Sequence, residues 1–409
     1  MTPSAPDEIA ALVHSHYASL SFKPPPNQFT ILAAFVLLAE TRSPKLISLA
    51  TGSKCLPASK LQIGGDFVHD SHAEILARRG AIRFFLEEIG RANESAEKSE
   101  WIEPEEGKFK LKEGVDLLLY VSTPPCGDAS TRYLASFQDE AMAALKDSSA
   151  PSELAAGTAA RGRDGYSLHG VLRTKPGRAD SPPTLCMSCS DKIASWSVLG
   201  IQGALASMLL GTIYIDCMII GEVDEGMQDM VREDCERALW KRLETIDESH
   251  LPATYRLHRP RISFTAVPFV HAKVTMQASL GDNLTSCNDS LCWIADSPKS
   301  PEVLINGLKR GVSPKHRSKP KLRPLLSKIS LFELYQRTTQ LCVNQLSDSK
   351  LTYLEAKRAA IDYQTAKRAL RVADGAPFAG WLKTGSAWEE FRLQVHSPTL
   401  GKTTQKRGD

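Results

Sequence analysis

Residues 187–205 read MSCSDKIASWSVLGIQGAL. A short polar cluster, Ser188-Cys189-Ser190-Asp191-Lys192, runs directly into an apolar pattern with helical spacing that extends from about Ser190 to Leu210. The run from Thr212 to Gly221 (TIYIDCMIIG) then reads as a strand. Upstream, VDLLLYVS (Val115–Ser122) is a second buried strand, bounded by Gly114 and by Pro124 and Pro125, and it delivers the chain to Cys126-Gly127-Asp128. Farther upstream, His72-Ala73-Glu74 opens an amphipathic helix carrying Ile75, Leu76, Ile82, Phe85, Leu86 and Ile89. Helices and strands alternating around loop-borne polar residues predict a layered α/β domain, a central sheet flanked by helices.

The ends of the chain extend this frame. A first helix is expected near Asp7, which can cap it, with Ile9, Leu12 and Val13 on one face and Pro24, Pro25 and Pro26 as its stop. The most apolar window, Phe29 to Ala39, reads as a core helix. Leu351 to Leu370 reads as one C-terminal helix. Residues 146–164, rich in Ala, Ser, Gly and charge and without periodicity, are expected to be a mobile insertion. Residues 1–396 then form a single domain, followed by a polar, basic and disordered tail over 397–409.

Composition excludes several classes. With 50 basic and 47 acidic residues, net charge is only +3, so any nucleic-acid surface must be a local patch. No stretch approaches the roughly 20 apolar residues of a spanning helix, and no membrane role is expected. Met1 to Asp7 lacks the pattern of a signal peptide, which points to an intracellular protein of nucleus or cytoplasm. Nine cysteines, an odd count, argue against a disulfide framework.

Three segments carry the chemistry. His72, Cys126 and a cysteine near 189 each stand where a strand gives way to a helix. One imidazole and two thiolates make a three-ligand zinc site with a position left for water. Glu74, two residues from His72, can reach that water without binding the metal. Zinc nucleobase deaminases carry H-x-E followed by P-C-x-x-C. Here Ala129 stands three residues after Cys126, so the second thiolate must come from farther along. Cys189 and Cys186 are both within reach on helix geometry.

These motifs, in this order, closely resemble the catalytic domain of the adenosine deaminases acting on RNA. The Gly52–Pro57 segment (GSKCLP) and the loop Leu172–Arg178 (LRTKPGR) are most similar to its tRNA-specific branch, and no appended double-stranded-RNA-binding domain is legible. The similarity runs from about residue 30 to 390. It implies a cytidine-deaminase-like fold, zinc held by His72, Cys126 and Cys189, and Glu74 as the catalytic acid/base. It implies adenosine-to-inosine conversion in alanine tRNA, just 3′ of the anticodon, with no obligatory protein partner. It also implies inositol hexakisphosphate enclosed by a largely helical C-terminal part. Arg78, Arg79, Lys192, Tyr353, Lys357, Tyr363, Lys367 and Trp381 would contact it, and Asp70 with Lys175 and Lys192 would link it to Cys189. Taken as one helix, Tyr353, Lys357, Tyr363 and Lys367 share an arc of about 120° at roughly 100° per residue. Ser195, Cys186, Lys383 and Thr384 depart from the family pattern around that ligand.

Other readings compete for the same residues. Glu74 could form an i,i+4 bridge with Arg78, of little energetic worth. Cys287, Cys292 and His271 fit no zinc template. The basic run Lys309–Arg323 is a solvated loop or an RNA-backbone contact. The loop Arg173–Pro183 is expected beside the extruded base, with Arg178 filling the vacated space.

Overall fold

The computed structural model describes residues 5–94, 98–137, 154–155, 157–165, 167–175, 181–281, 283–317, 319–343, 351–373 and 375–393. Among these, eight strands make one mixed sheet: β1 (Leu32–Ala39), β2 (Arg42–Thr51), β3 (Val115–Val121), β4 (Cys217–Ile220), β5 (Arg261–Phe264), β6 (Asp289–Ile294), β7 (Glu302–Ile305) and β8 (Leu308–Lys309). Their spatial order is β5-β4-β3-β1-β2-β6-β7-β8. β3, β4 and β5 are parallel to one another, whereas β1 pairs antiparallel with both β3 and β2.

The window 29–39, expected to be a helix, is therefore a central strand. Ala33, Phe35 and Leu37 join one core with Leu117, Leu119 and Val121. Leu32, Ala34 and Val36 join a second core with Leu118 and Tyr120. Helix α1 (Ala5–Ser19) covers the second face with Ile9, Val13 and Tyr17. Helix α2 (Ala73–Glu94) covers the first. A strand buried on both faces loses the period-two alternation that would announce it. Burial of about 1.5–3 kcal/mol per large apolar side chain then outweighs propensity differences of under about 1 kcal/mol per residue. Asp7 does not cap α1 but sits in its first turn, where Oδ1 accepts from Thr265 Oγ1 (2.6 Å) and the Ala266 amide (3.0 Å).

α2 lies so close to β2 that a Cβ at Gly80 would fall 2.9 Å from the Ser48 Cβ. Ser48 Oγ donates to the Ala77 carbonyl at the same crossing. The helix after residue 188 is shorter than its pattern suggests. α3 spans Cys189–Leu199 and stops at Gly200, whose φ is +66° and where a Cβ would meet the Ile213 carbonyl at 2.9 Å. Only Cys217–Ile220 of the expected strand over 212–221 pairs in the sheet. Beyond it lie α4 (Gln228–Leu239), which packs on α3, and α5 (Lys328–Val343), which packs on α2.

The C-terminal helix is two. α6 (Tyr353–Arg358) and α7 (Ile361–Arg371) are separated by Ala360, whose ψ of 71° is not helical. The arc proposed for Tyr353, Lys357, Tyr363 and Lys367 on one helix is thereby broken into two pairs. Residues 160–164 pair and turn against the segment from Arg173. Residues 146–153 of the expected insertion, and the tail over 397–409, lie outside the described residues.

Candidate active site

The site lies at the carboxyl end of β3, where open α/β sheets gather their ligands. His72 ends a short strand, Asp70–His72, that pairs antiparallel with Ser53–Cys55 and leads straight into α2. Cys126 follows β3 through Pro124 and Pro125. Gly127 beside it has a φ of +110°, and a Cβ there would fall 2.2 Å from Ser188 Oγ. Only glycine lets the two loops approach this closely. Cys189 is the first residue of α3, whose N-cap is Ser188; the Ser188 hydroxyl accepts from the Asp191 amide. The helix terminus thus presents positive partial charge to both thiols, and the Cys189 amide lies 3.4 Å from Cys126 Sγ.

His72, Cys126 and Cys189 offer ligand atoms that all lie within 4.8 Å of one another. Hydrogen bonding from Cys189 holds the Cys126 thiol well below its usual range, with help from Lys175 and His72. Glu74, one residue into α2, is 3% exposed, and its Oε2 has no hydrogen-bond partner. Burial, then the neighbouring Cys126, push its carboxyl upward. The alternative bridge to Arg78 is not made, because the Arg78 guanidinium lies over the Trp196 ring at 5.0 Å. These groups meet a cavity of about 1020 Å³, whose walls include Thr30, Glu222, Phe137 and Gln277.

A buried charge chain stands behind the thiols. Lys175 Nζ donates to Asp70 Oδ2 (2.8 Å) and to Cys189 Sγ (3.1 Å), and Lys192 also donates to Asp70. Asp70 Oδ1 contacts His72 Nδ1 at 2.9 Å. Burial alone would raise the Asp70 carboxyl, but Lys175 and Lys192 hold it well below the carboxylate range. Lys175 directly follows the two-residue strand Arg173–Thr174. Its amide donates to the Cys186 carbonyl, and the Ser188 amide donates to the Arg173 carbonyl.

Of the loop expected beside the base, Arg173, Thr174, Lys175, Ser181 and Pro182 line the cavity, and the Arg173 side chain, 1% exposed, binds the carbonyls of Asp164, Gly165 and Leu168. It clamps the loop that 160–165 forms. Arg178 lies outside the described residues. Cys186, the rival ligand, sits instead beside Cys55. Cys55, Asp70 and His72 form a second ligand-spaced group, but Lys175 and Lys192 already neutralise Asp70 and would repel a cation there. Cys287, Cys292 and His271 form no such group among the described residues. The basic run splits: Arg310 pairs with Asp289 and Arg323 with Asp66, while Lys315, Lys319 and Lys321 are exposed.

On the far side of Asp70, cations gather between α2, α3 and the C-terminal helices. Arg79 Nε donates to the Leu326 carbonyl. Lys357 and Lys328 share Glu389 at 2.6 and 3.1 Å, with Tyr353 under the Lys357 ammonium at 5.1 Å. Burial, then Arg371 and Lys357, depress Lys367 to about 8. Arg371 lies 3.7 Å over Trp381 and donates to Ser195 Oγ at 3.0 Å. Tyr363, packed edge-on to Tyr255, faces both Arg78 and Arg371. Among the described residues, Arg78, Lys367 and Arg371 make no ion pair. The Nε atoms of Arg78 and Arg371 are buried without partners.

Sequence reasoning missed Ser188, Asp191, Glu389 and Arg371. Asp191 accepts from the Arg173 amide (2.9 Å) and from Arg242 (2.6 Å), pinning the α3 terminus. Arg371 was findable, since Tyr363, Lys367 and Arg371 recur every four residues on α7. Glu389 is joined to its lysines only by the fold.

The adenosine-deaminase (editase) domain model matches residues 48–385 of the chain. tRNA-specific adenosine deaminase 1 of Drosophila melanogaster is 32% identical over 384 residues, covering 89% of this chain and 92% of that one. The Mus musculus protein of the same name is 26% identical, covering 94% of this chain and 99% of its own. Double-stranded RNA-specific editase B2 of Mus musculus is 27% identical over 87% of this chain but 46% of its own length. A match of that extent, running through the same strand-end cavity, makes the chain a member of the adenosine-deaminase (editase) domain family.

Proposed function

We propose that this adenosine deaminase converts adenosine to inosine in transfer RNA by hydrolysis, at the adenosine 3′ of the anticodon of alanine tRNA. The observation that carries the proposal is the buried triangle of His72, Cys126 and Cys189 with the unpartnered Glu74 carboxylate beside it. The near full-length match to tRNA-specific relatives supports the RNA class.

The donor set fits zinc: one imidazole and two thiols, a combination this ion favours. Asp70 occupies His72 Nδ1, which leaves Nε2 as the free lone pair. Burial and Cys126 push the Cys189 thiol up, and Lys175 opposes that shift, favouring the thiolate form that a metal binds. Held by His72, Cys126 and Cys189, zinc would lower the pKa of water and so supply a nucleophile at neutral pH. Glu74 Oε2, buried and without a hydrogen-bond partner, is placed to take a proton from the attacking water and to return it to the departing amine. Across the reaction a C6–O bond forms, the C6–N bond breaks, and ammonia leaves. Glu74, His72 and Cys126 line a cavity, so the adenosine must leave its stack to reach them, which costs least in an already unpaired loop.

The cationic region supports enclosed inositol hexakisphosphate. Arg78 and Arg371 are each pushed down to about 10, chiefly by burial, yet their side chains are not fully covered. Both keep a buried Nε without a partner and make no ion pair among the described residues. Buried cations without carboxylate partners require an anion. Arg78, Arg79 and Lys367 would hold it together with Lys192 and Lys357, which also pair with Asp70 and Glu389, and with Tyr353, Tyr363 and Trp381 as walls.

Incubation of the purified chain with an unmodified alanine tRNA transcript, and separately with a long RNA duplex, tests the substrate. Inosine next to the anticodon of the transcript is expected. Inosine in the duplex alone would assign the chain to the other branch of the family.

A further inference from the structure

We infer that Arg371 is a direct ligand of the enclosed polyanion, supplying from α7 the cation that position 195 on α3 lacks. The inference rests on the inositol hexakisphosphate reading above and assigns a residue outside the set expected from sequence. Position 195, where the resemblance calls for arginine, is serine, and Arg371 reaches across to it from the facing helix, Nη2 to Oγ 3.0 Å. Its guanidinium plane is fixed over Trp381 at 3.7 Å, a placement that holds the fork rigid without neutralising it. One hydroxyl and one ring leave most of the five donors of an arginine uncommitted, and Nε is buried without a partner. No carboxylate forms an ion pair with it among the described residues. Instead it shares its surroundings with Arg78 and Lys367, two further cations without ion pairs. Three unneutralised cations do not converge in a core unless something between them carries negative charge. Ser195 acts here as a positioning residue, orienting one Nη so that the remaining donors face the anion.

The test moves the charge back. Wild type, Arg371→Ala, and the double variant Ser195→Arg/Arg371→Ala are purified without added ligand. Inositol hexakisphosphate released by acid is measured per chain by mass spectrometry, and folding is followed by circular dichroism. Wild type is expected to carry the ligand stoichiometrically. Arg371→Ala should bind it roughly 10- to 100-fold more weakly, the scale of a charge-assisted hydrogen bond, and be recovered with substoichiometric ligand. The double variant should regain it. Stoichiometric ligand in Arg371→Ala would overturn the inference and leave the polyanion reading intact. A loss that the double variant does not repair would make Arg371 a packing residue against Trp381, which also overturns it. Wild type free of any inositol phosphate would remove the underlying reading, and the inference with it.

Discussion

Lys175 Nζ donates to Cys189 Sγ across 3.1 Å, from a side chain that is 3% exposed as a residue and also bound to Asp70. A buried ammonium in that position does for a thiolate what water cannot. It compensates the charge without exposing the sulfur. Lys175→Met should therefore lower metal affinity and turnover by about 10- to 100-fold, as loss of an outer-sphere partner does. Zinc content by elemental analysis, read beside inosine formation, checks this. Unchanged zinc content and rate would disconnect Lys175 from the metal centre.

Gly127 makes a second prediction. A methyl group there would collide with Ser188 Oγ at 2.2 Å and Cβ at 2.4 Å, and the backbone φ of +110° disfavours any side chain. Gly127→Ala should destabilise the fold by about 1–3 kcal/mol and separate Cys126 from Cys189. Denaturant titration and zinc content should fall together.

Glu389 gives a pH dependence whose sign is fixed by its neighbours. Burial opposes its ionisation, but Lys357 and Lys328 win and hold the carboxyl at about 2. The folded state thus binds this proton more weakly than the unfolded chain, where glutamate titrates near ~4.3. The stability it contributes is present above about pH 4.3 and is lost as pH falls towards 2, by at most on the order of 3 kcal/mol. Glu389→Gln should be less stable at neutral pH and show a flatter stability profile between about pH 4.3 and 2. An unaltered acid limb would contradict the assignment.

Lys367 titrates within reach of ordinary buffers. Burial, then Arg371 and Lys357, depress it to about 8. An anion favours its charged form, so binding takes up a proton above that pH. Affinity for inositol hexakisphosphate should fall as pH rises through about 8, by up to tenfold per pH unit from this group. Lys367→Met should lack that component, and identical slopes for the two proteins would exclude Lys367 from the ligand.

The sequence carried the chemistry better than the architecture. His72, Glu74, Cys126 and Cys189 were legible because each motif is local and its residue types are rare in that setting. The strand β3 and helix α2 were legible for the same reason: their signals lie within one element. The segment 29–39 was not, because a strand covered by α1 on one face and α2 on the other is apolar throughout. β2, β6 and β7 take their meaning from pairing with partners distant in sequence. The break at Gly200 depends on a close approach to Ile213, which no helical periodicity records. The inward anchoring of Arg173 was hidden for a related reason. The carbonyls of Asp164, Gly165 and Leu168 converge on its guanidinium, a pairing that only the fold brings about.

The most direct test of the central claim compares wild type with Glu74→Gln on the alanine tRNA transcript, with zinc per chain measured in both. The account predicts equal zinc, equal thermal stability within experimental error, and inosine beside the anticodon from wild type only. Inosine formation by zinc-loaded Glu74→Gln at the wild-type rate would contradict it, because no other carboxylate among the described residues combines burial, a free oxygen and a place beside the His72–Cys126–Cys189 triangle.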